Sequence, residues 1–293
     1  MNRYLVLVLI VTTFLGCEKA VSFNIEKTTP AIVVEATIED GQAPIVILSN
    51  SFDYFGKITP DLLANSFIRN AVVTISNGTK THTLKEYAIN TGGGAKIYYY
   101  SIDSANLATA FLGEQNKKYE LLVTANGQTI TGSTTIPVLT KKIDSIWWKQ
   151  APNNPDTNKV VLMAKVTDPP GFGNYIRYYT KANRDPIYPG LNSVFDDQII
   201  DGKTYTIEVE RGVDRNEELD RDNFSFFDKG DTITLKFCNI DKATYDFWRT
   251  MEFSYASIGN PFSSPTKVLS NVKGALGYFG GYAVQYKTLI VPK

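Results

Sequence analysis

Residues 119–131 read YELLVTANGQTIT, and this stretch decides the fold class. Apolar and polar residues alternate on both sides of Asn126-Gly127, which is the pattern of two antiparallel strands joined by a two-residue turn. A second Asn-Gly pair at residues 77–78 lies between the strand-like segments 71–75 and 82–84. Short β-branched segments separated by turn residues continue along most of the chain. The sequence therefore predicts an all-β protein built from β-sandwich-like domains.

The length of the chain indicates more than one domain. Its 293 residues exceed what a single hydrophobic core usually holds. We predict an N-terminal Ig-like or transthyretin-like β-sandwich over residues 30–137 and a β-rich C-terminal domain over residues 138–293. The second domain is expected to carry one helix at about 241–257, because Asp241 is a good N-cap and aromatic residues follow it across about four turns.

The N-terminus has the pattern of an exported protein. A basic start and an apolar run over residues 4–15 precede Gly16-Cys17, which predicts a signal peptide over residues 1–16. The run is too short to cross a bilayer, which takes about 20 apolar residues. Its end resembles the bacterial lipobox, a Leu-small-small-Cys pattern, although Phe14 and Leu15 depart from the strict form. We predict lipidation of Cys17, palmitate included, and a lipidated tether over residues 17–29. An ordinary signal peptide with a chance cysteine is the alternative.

Charge and cysteine content exclude several classes of protein. Lysine plus arginine and aspartate plus glutamate number 30 each, so the net charge is zero and nothing indicates a nucleic-acid partner. Cys238 is the only cysteine besides Cys17, so lipidation would leave no intramolecular disulfide. Because Cys238 ends an alternating segment, we predict that it is a small buried hydrophobic residue.

No catalytic constellation is visible in the sequence. The single histidine, His82, lies in a predicted hairpin, and no Gly-Xaa-Ser-Xaa-Gly segment supports a serine nucleophile. The carboxylate pairs Asp196-Asp197 and Glu217-Glu218 are typical of solvated loops rather than of a glycosidase. We therefore predict no catalytic residue, no metal site and no cofactor, and expect that the protein is not an enzyme. Calcium binding by the acidic loop 210–222 stays open, since clustered oxygen ligands suit calcium.

Adjacent aromatic residues are the most suggestive candidates for a binding site. Trp147-Trp148 and Tyr178-Tyr179 lie in predicted strands, where neighbouring side chains point to opposite faces. One member of each pair is then expected to face outward, where an aromatic ring suits contact with a sugar or a protein. We predict these four residues as ligand-binding residues. The alternative is that the other sheet and the other domain cover both faces.

A set of motifs in a fixed order spans almost the whole mature chain. The motifs are Val33-Val-Glu-Ala-Thr-Ile-Glu-Asp40, Val46-Ile-Leu-Ser-Asn-Ser-Phe-Asp-Tyr54, Ala71-Val-Val-Thr-Ile75, Asp168-Pro-Pro-Gly with Asn174-Tyr175, Phe195-Asp-Asp-Gln with Asp201-Gly-Lys203, Tyr245-Asp-Phe-Trp-Arg-Thr250, Asn260-Pro-Phe262 and Asn271-Val-Lys-Gly-Ala-Leu-Gly-Tyr-Phe-Gly-Gly281. In this respect the chain resembles the Bacteroidota lipoproteins grouped as domain of unknown function 4249. The resemblance implies an outer-membrane lipoprotein, often encoded beside a TonB-dependent transporter, and it brings no catalytic residues.

These observations lead to one functional prediction and two alternatives. We predict a lipid-anchored outer-membrane accessory or binding subunit that cooperates with a TonB-dependent transporter. The alternatives are a surface glycan-binding lipoprotein and a structural or assembly subunit of a larger envelope complex. Display on the cell surface and attachment on the periplasmic face both stay open, as does O-glycosylation at the Asp-Ser/Thr-apolar motifs that begin at Asp103, Asp144 and Asp231.

Overall fold

The computed structural model describes residues 30–52, 59–90, 96–220, 222–258, 260, 264 and 266–293. Strands dominate these residues, so the prediction of an all-β fold with sandwich-like layers is confirmed. Cys17, the predicted signal peptide and the predicted tether lie outside the described residues. Within the described part of the chain, no helix is both long and apolar enough to cross a membrane.

The elements follow one another along the chain as seventeen strands and two helices within these ranges. The strands are β1 (Ile32–Glu39), β2 (Ile45–Asn50), β3 (Val72–Ser76), β4 (Thr81–Thr83), β5 (Lys85–Asn90), β6 (Lys96–Ser101), β7 (Lys117–Ala125), β8 (Gln128–Ile136), β9 (Lys142–Gln150), β10 (Lys159–Thr167), β11 (Tyr175–Ala182), β12 (Tyr188–Phe195), β13 (Thr204–Val209), β14 (Phe227–Asp228), β15 (Thr232–Ile240), β16 (Val272–Lys273) and β17 (Leu276–Ile290). The helices are α1 (Pro60–Ser66) and α2 (Lys242–Ala256).

The predicted Asn-Gly hairpin is present as β7 and β8. Asn126 and Gly127 both have positive φ, at 50° and 74°, as a two-residue turn with the right twist requires. The register runs from Ala125 opposite Gln128 to Lys117 opposite Ile136. The second Asn-Gly pair also lies in a turn, between β3 and β4, where the Asn77 side chain accepts hydrogen bonds from the backbone of Thr79 and Lys80.

One eight-stranded sheet forms the centre of the molecule, in the order β12-β11-β15-β17-β1-β2-β6-β5. Its middle is a parallel pair, in which β1 lies beside β17 with Val33 opposite Leu276 and Glu39 opposite Tyr282. The first and last strands of the described chain are therefore neighbours. Strands from both sides of residue 137 share this sheet, and the domain boundary near residue 137 stays a prediction.

Two smaller sheets lie side by side on one face of the central sheet. A five-stranded sheet, β16-β8-β7-β3-β4, encloses a first core with β1, β2 and β17, through residues such as Val34, Val123 and Phe279. A four-stranded sheet of β9, β10, β13 and β14 encloses a second core with β11 and β15, through residues such as Leu162 and Leu235. We call these layers the first and the second sandwich.

Helix α2 covers the opposite face of the central sheet, which confirms the helix predicted at about 241–257. Asp241 caps its N-terminus, since the carboxylate accepts a hydrogen bond from the backbone N–H of Thr244 at 2.8 Å. The helix packs Tyr245 against Cys238 and Tyr282 of the sheet. Cys238 is fully buried, as its alternating segment predicts, and burial raises the pKa of its thiol to about 12.

Candidate docking site

The four aromatic residues predicted to bind a ligand do not share one surface. Trp148 and Tyr178 both pack into the second sandwich, and Tyr178 is only 5% exposed. Tyr179 lies on the opposite face of the central sheet, beside the core under α2. Trp147 is half-buried on β9, opposite Met163 of β10. Strand alternation separates each pair as expected, but both tyrosines are largely covered. Ligand binding by any of the four stays a prediction.

His82 is held in a structural role by both ring nitrogens. Its Nε2 accepts a hydrogen bond from the backbone N–H of Asp103 at 3.0 Å, and its Nδ1 lies 2.8 Å from the Thr109 hydroxyl. The ring is 1% exposed, and its burial lowers the pKa of His82 although the nearby Asp103 carboxylate acts in the opposite direction. An imidazole with both nitrogens engaged in this way is a packed core group.

Carboxylates of the acidic loop 210–222 form hydrogen bonds within their own neighbourhood. Asp214 accepts hydrogen bonds from Asn216 and from the Tyr188 hydroxyl, and Asp220 accepts from Asn223. These bonds hold the pKa of both aspartates below the ordinary value. Calcium binding there stays a prediction.

Two loops at one edge of the central sheet hold each other through aspartates and backbone N–H groups. Residues 168–174 join β10 to β11, and residues 196–203 join β12 to β13. Asp201 accepts a hydrogen bond from the Gly171 N–H at 2.6 Å, and Asp197 accepts from Gly173 at 3.1 Å and from Asn174 at 2.9 Å. We call residues 168–174 and 196–203 the clasped loop pair.

Two exposed apolar residues, Phe172 and Ile199, form the tip of the clasped loop pair. Phe172 is 74% exposed and Ile199 is 87% exposed, which makes them among the most exposed large hydrophobic residues described. Phe172 lies between Gly171 and Gly173, whose φ angles of 109° and 108° are unfavourable for any residue with a Cβ atom. The glycines let the loop turn sharply enough to point the phenyl ring outward while both flanking amides stay bound to the aspartates.

Charged side chains gather at the base of the clasped loop pair. Lys141 Nζ lies 2.9 Å from Asp168 Oδ1, and both side chains are 0% exposed. Carboxylate oxygens of Asp168, Asp197 and Asp201 lie within 4.8 Å of one another. The grouping resembles a cation site, but the buried ammonium of Lys141 already supplies a cation to it. Burial tends to raise the pKa of Asp197, yet hydrogen bonds from Asn174 and Gly173 outweigh it and hold that pKa below its ordinary value.

The face under α2 carries a second buried charge network beside this edge. The Arg177 guanidinium is buried with its central carbon 3.4 Å from the centre of the Trp248 ring and 4.8 Å from that of Tyr179. Its Nε donates to the Ser193 hydroxyl, which donates to Glu252. Cation–π contact and this relay hold α2 on the sheet. A groove of about 280 Å³ runs between α2 and β12, lined by Val194 and Phe253 among others.

The sequence patterns did not predict the clasped loop pair or the Arg177 network as sites. The signal for the loops was present, because Asp168-Pro-Pro-Gly and Asp196-Asp-Gln with Asp201-Gly hold the glycines and aspartates that bind one another. Their pairing across about 30 residues has no local pattern. Arg177 sits in an alternating strand, where nothing in the sequence distinguishes a buried cation from an exposed one.

The fold and this edge define a class of all-β proteins, in which one large sheet carries two smaller sheets and a fixed apolar loop tip. The chain belongs to the family described as Domain of unknown function (DUF4249), whose model matches residues 18–288. The resemblance drawn from the sequence motifs is thereby confirmed at the level of the family. No curated protein matches the chain.

Proposed function

We propose that this protein is a lipid-anchored accessory subunit of the outer membrane that docks on a TonB-dependent transporter through the clasped loop pair. The observation that carries the proposal is the exposure of Phe172 and Ile199 on two loops that are held together by hydrogen bonds between backbone N–H groups and aspartates. Aromatic residues are enriched in protein interfaces, where a few large buried side chains supply most of the binding energy. Loops held in one conformation also lose little entropy when they bind.

The charge of the loop pair favours a protein partner over a lipid surface. Residues 168–174 and 196–203 contain four aspartates, at positions 168, 196, 197 and 201, and one lysine, Lys203. With Lys141 at the base and Arg249 beside Asp196, negative charges still exceed positive ones by one. Surfaces that bind anionic membranes are rich in lysine and arginine instead. The groove between α2 and β12 extends the contact surface, since Arg249 at its rim lies 3.5 Å from Asp196.

The anchor in this proposal is the lipid predicted on Cys17. Residues 17–29, fully extended, reach about 45 Å at roughly 3.5 Å per residue. A tether of that reach lets the folded part contact a transporter in the same membrane while the lipid stays in the bilayer. Confinement to one membrane raises the effective concentration of the two proteins, so a small apolar tip is sufficient for docking.

The test is co-purification of the tagged full chain from the outer membrane of the bacterium that makes it, with the captured proteins identified by mass spectrometry. We expect the unaltered chain to bring down a TonB-dependent transporter. The double variant Phe172→Ser with Ile199→Ser is expected to reduce the captured transporter at least tenfold, about 1.4 kcal/mol of binding free energy.

A matched control replaces two equally apolar residues away from the loops. Leu107→Ser with Ile290→Ser changes side chains that are 65% and 71% exposed, and it should leave capture unchanged. Cys17→Ala tests the anchor in the same preparation, because the chain should then leave the membrane fraction. Capture of no transporter by the unaltered chain, or equal capture by both double variants, would contradict the proposal. Enrichment of a polysaccharide without a transporter would do so in favour of glycan binding.

A further inference from the structure

The pair at the base of the clasped loop pair combines a nucleophile and an acyl group in a site closed to bulk solvent. Lys141 and Asp168 lie at matching ends of β9 and β10, one position beyond the cross-strand pair of Lys142 and Thr167. Lys141 Nζ lies 2.9 Å from Asp168 Oδ1, yet neither atom has a hydrogen bond of acceptable geometry within the described residues. The nitrogen therefore touches the carboxyl group without the alignment of an ordinary ion-pair hydrogen bond.

The lysine is fixed in place from its backbone. Asn239, which is 3% exposed, accepts a hydrogen bond from the Lys141 N–H and donates one to the Lys141 carbonyl, each at 2.9 Å. Gln285 donates to the same carbonyl at 3.3 Å. The aspartate is fixed through its second oxygen, because Oδ2 accepts a hydrogen bond from the Gly202 N–H at 3.1 Å. Both reacting groups are thus held by neighbours that take no part in the contact between them.

Burial raises the free energy of the charged pair. The neutral form of the pair is the reactive one. Removing an ammonium and a carboxylate from water carries a penalty that the attraction between them does not always repay. Moving one proton from Lys141 to Asp168 converts the pair into an amine and a carboxylic acid, which are the forms that condense. Reacting groups held in contact behave as if they were present at about 10⁵ M or more, which favours condensation over the reverse reaction in a site that excludes water.

We propose that Lys141 and Asp168 form an intramolecular isopeptide bond. The Lys141 Nζ–Asp168 Cγ bond forms and the Cγ–Oδ1 bond breaks. Two of the three ammonium protons move to Oδ1, which leaves as water, and the third stays on the amide nitrogen. Oδ2 becomes the amide oxygen, and the Gly202 N–H stabilises the negative charge that develops on it. No oxidant or cofactor is needed, because the reaction is a condensation.

Asp197 is the group placed to carry the proton. One of its carboxylate oxygens lies within 4.8 Å of an Asp168 carboxylate oxygen, and its side chain is buried. Hydrogen bonds from Asn174 and Gly173 fix the orientation of the Asp197 carboxylate, which can relay a proton from Nζ to the leaving oxygen. The bond would tie the start of β9 to the end of β10, directly beneath the loops proposed to dock.

Peptide mapping of the purified full chain tests the proposal directly. An isopeptide bond blocks tryptic cleavage after Lys141, so digestion should release one branched peptide that joins residues 119–142 to residues 166–177. Its mass should be lower than the sum of the two peptides by one water molecule. Recovery of both peptides only in unbranched form, from folded protein, would overturn the proposal whatever the variants show.

Three variants separate the bond from an ordinary ion pair. Lys159→Ala removes a solvent-accessible lysine that lies 2.8 Å from Asp228, and it should leave the branched peptide unchanged. Asp168→Ala should abolish that peptide. Asp197→Asn should reduce the fraction of branched peptide at a fixed time after refolding at least tenfold, since loss of a proton carrier slows such steps by about 100-fold or more. Equal branching in Asp197→Asn and unaltered protein would exclude Asp197 as the carrier.

Discussion

The parts of the chain before and after residue 137 differ in what they bury. Within the described residues before position 137, the buried polar side chains carry no formal charge, and they are Ser66, His82 and Thr134. After that position most of the buried polar side chains are charged, and the charged ones are Lys141, Asp168, Arg177, Asp197, Asp231, Lys236 and Glu252. The first sandwich is held by apolar packing, which is strong but not directional. The part of the chain after residue 137 adds ion pairs and hydrogen bonds, both beside the second sandwich and under α2, which fix the direction of each partner.

This difference explains why the fixed loop tip belongs to the second sandwich. Buried charges contribute little net stability, since their desolvation offsets their attraction. They do hold particular atoms in particular places, as Asp197 holds Gly173 and Asn174. A loop that must present Phe172 in one orientation needs such contacts, whereas a loop over an apolar core does not. We therefore expect the stability of the part before residue 137 to depend mainly on apolar residues, and that of the part after it to depend also on buried charged residues.

The largest expected effect is the loss of Arg177. Arg177→Ala empties the space between Trp248 and Tyr179 and leaves the Ser193–Glu252 relay without its donor. We expect the free energy of unfolding to fall by about 3–5 kcal/mol. The matched change in the first sandwich is Val123→Ala, which should cost about 2 kcal/mol from lost apolar burial. Urea unfolding measures both values. Equal losses would contradict the idea that the part of the chain after residue 137 depends on its buried charges.

A smaller effect is expected from the two helix caps, one in each half. Asp241 caps α2 and also accepts hydrogen bonds from Thr135 and Thr134 of β8, at 2.8 and 3.1 Å. Thr59 caps α1 through Leu62 at 3.2 Å. Asp241→Ala should therefore cost about 2–3 kcal/mol, against about 1 kcal/mol for Thr59→Ala. Thermal unfolding compares them, and a Thr59 effect as large as that of Asp241 would show that the bridge to β8 adds nothing.

The smallest expected effect is the pH dependence of the first sandwich. Burial lowers the pKa of His82, so the unfolded chain binds a proton more readily than the folded one. The stability is then fully present above the unfolded pKa of about 6.5 and is lost progressively below it, by up to about 1 kcal/mol at pH 6. Because the chain has one histidine, His82→Gln should remove this slope between pH 7.5 and 6. A slope that persists in His82→Gln would place its origin elsewhere.

The elements that sequence predicts well are those set by local patterns. The Asn126-Gly127 turn, the burial of Cys238 and the cap at Asp241 each follow from a few neighbouring residues. The parallel pairing of β1 with β17 does not, because its partners lie more than 200 residues apart and no local signal links them. The contact of Lys141 with Asp168 likewise depends on the packing of loops around a hairpin end. Long-range register and the burial of charged residues therefore do not follow from local sequence patterns.

The pairing of β1 with β17 also determines when the central sheet can be completed during synthesis. Among the described residues, β1 is the first strand to be synthesised, and its neighbour on that side, β17, is the last. Such a distant pairing closes slowly, and the unpaired edge stays open to other strands until then. We expect a polypeptide that stops short of residue 276 to keep that edge unpaired. Closure of the central sheet between β1 and β17 thus depends on synthesis reaching β17.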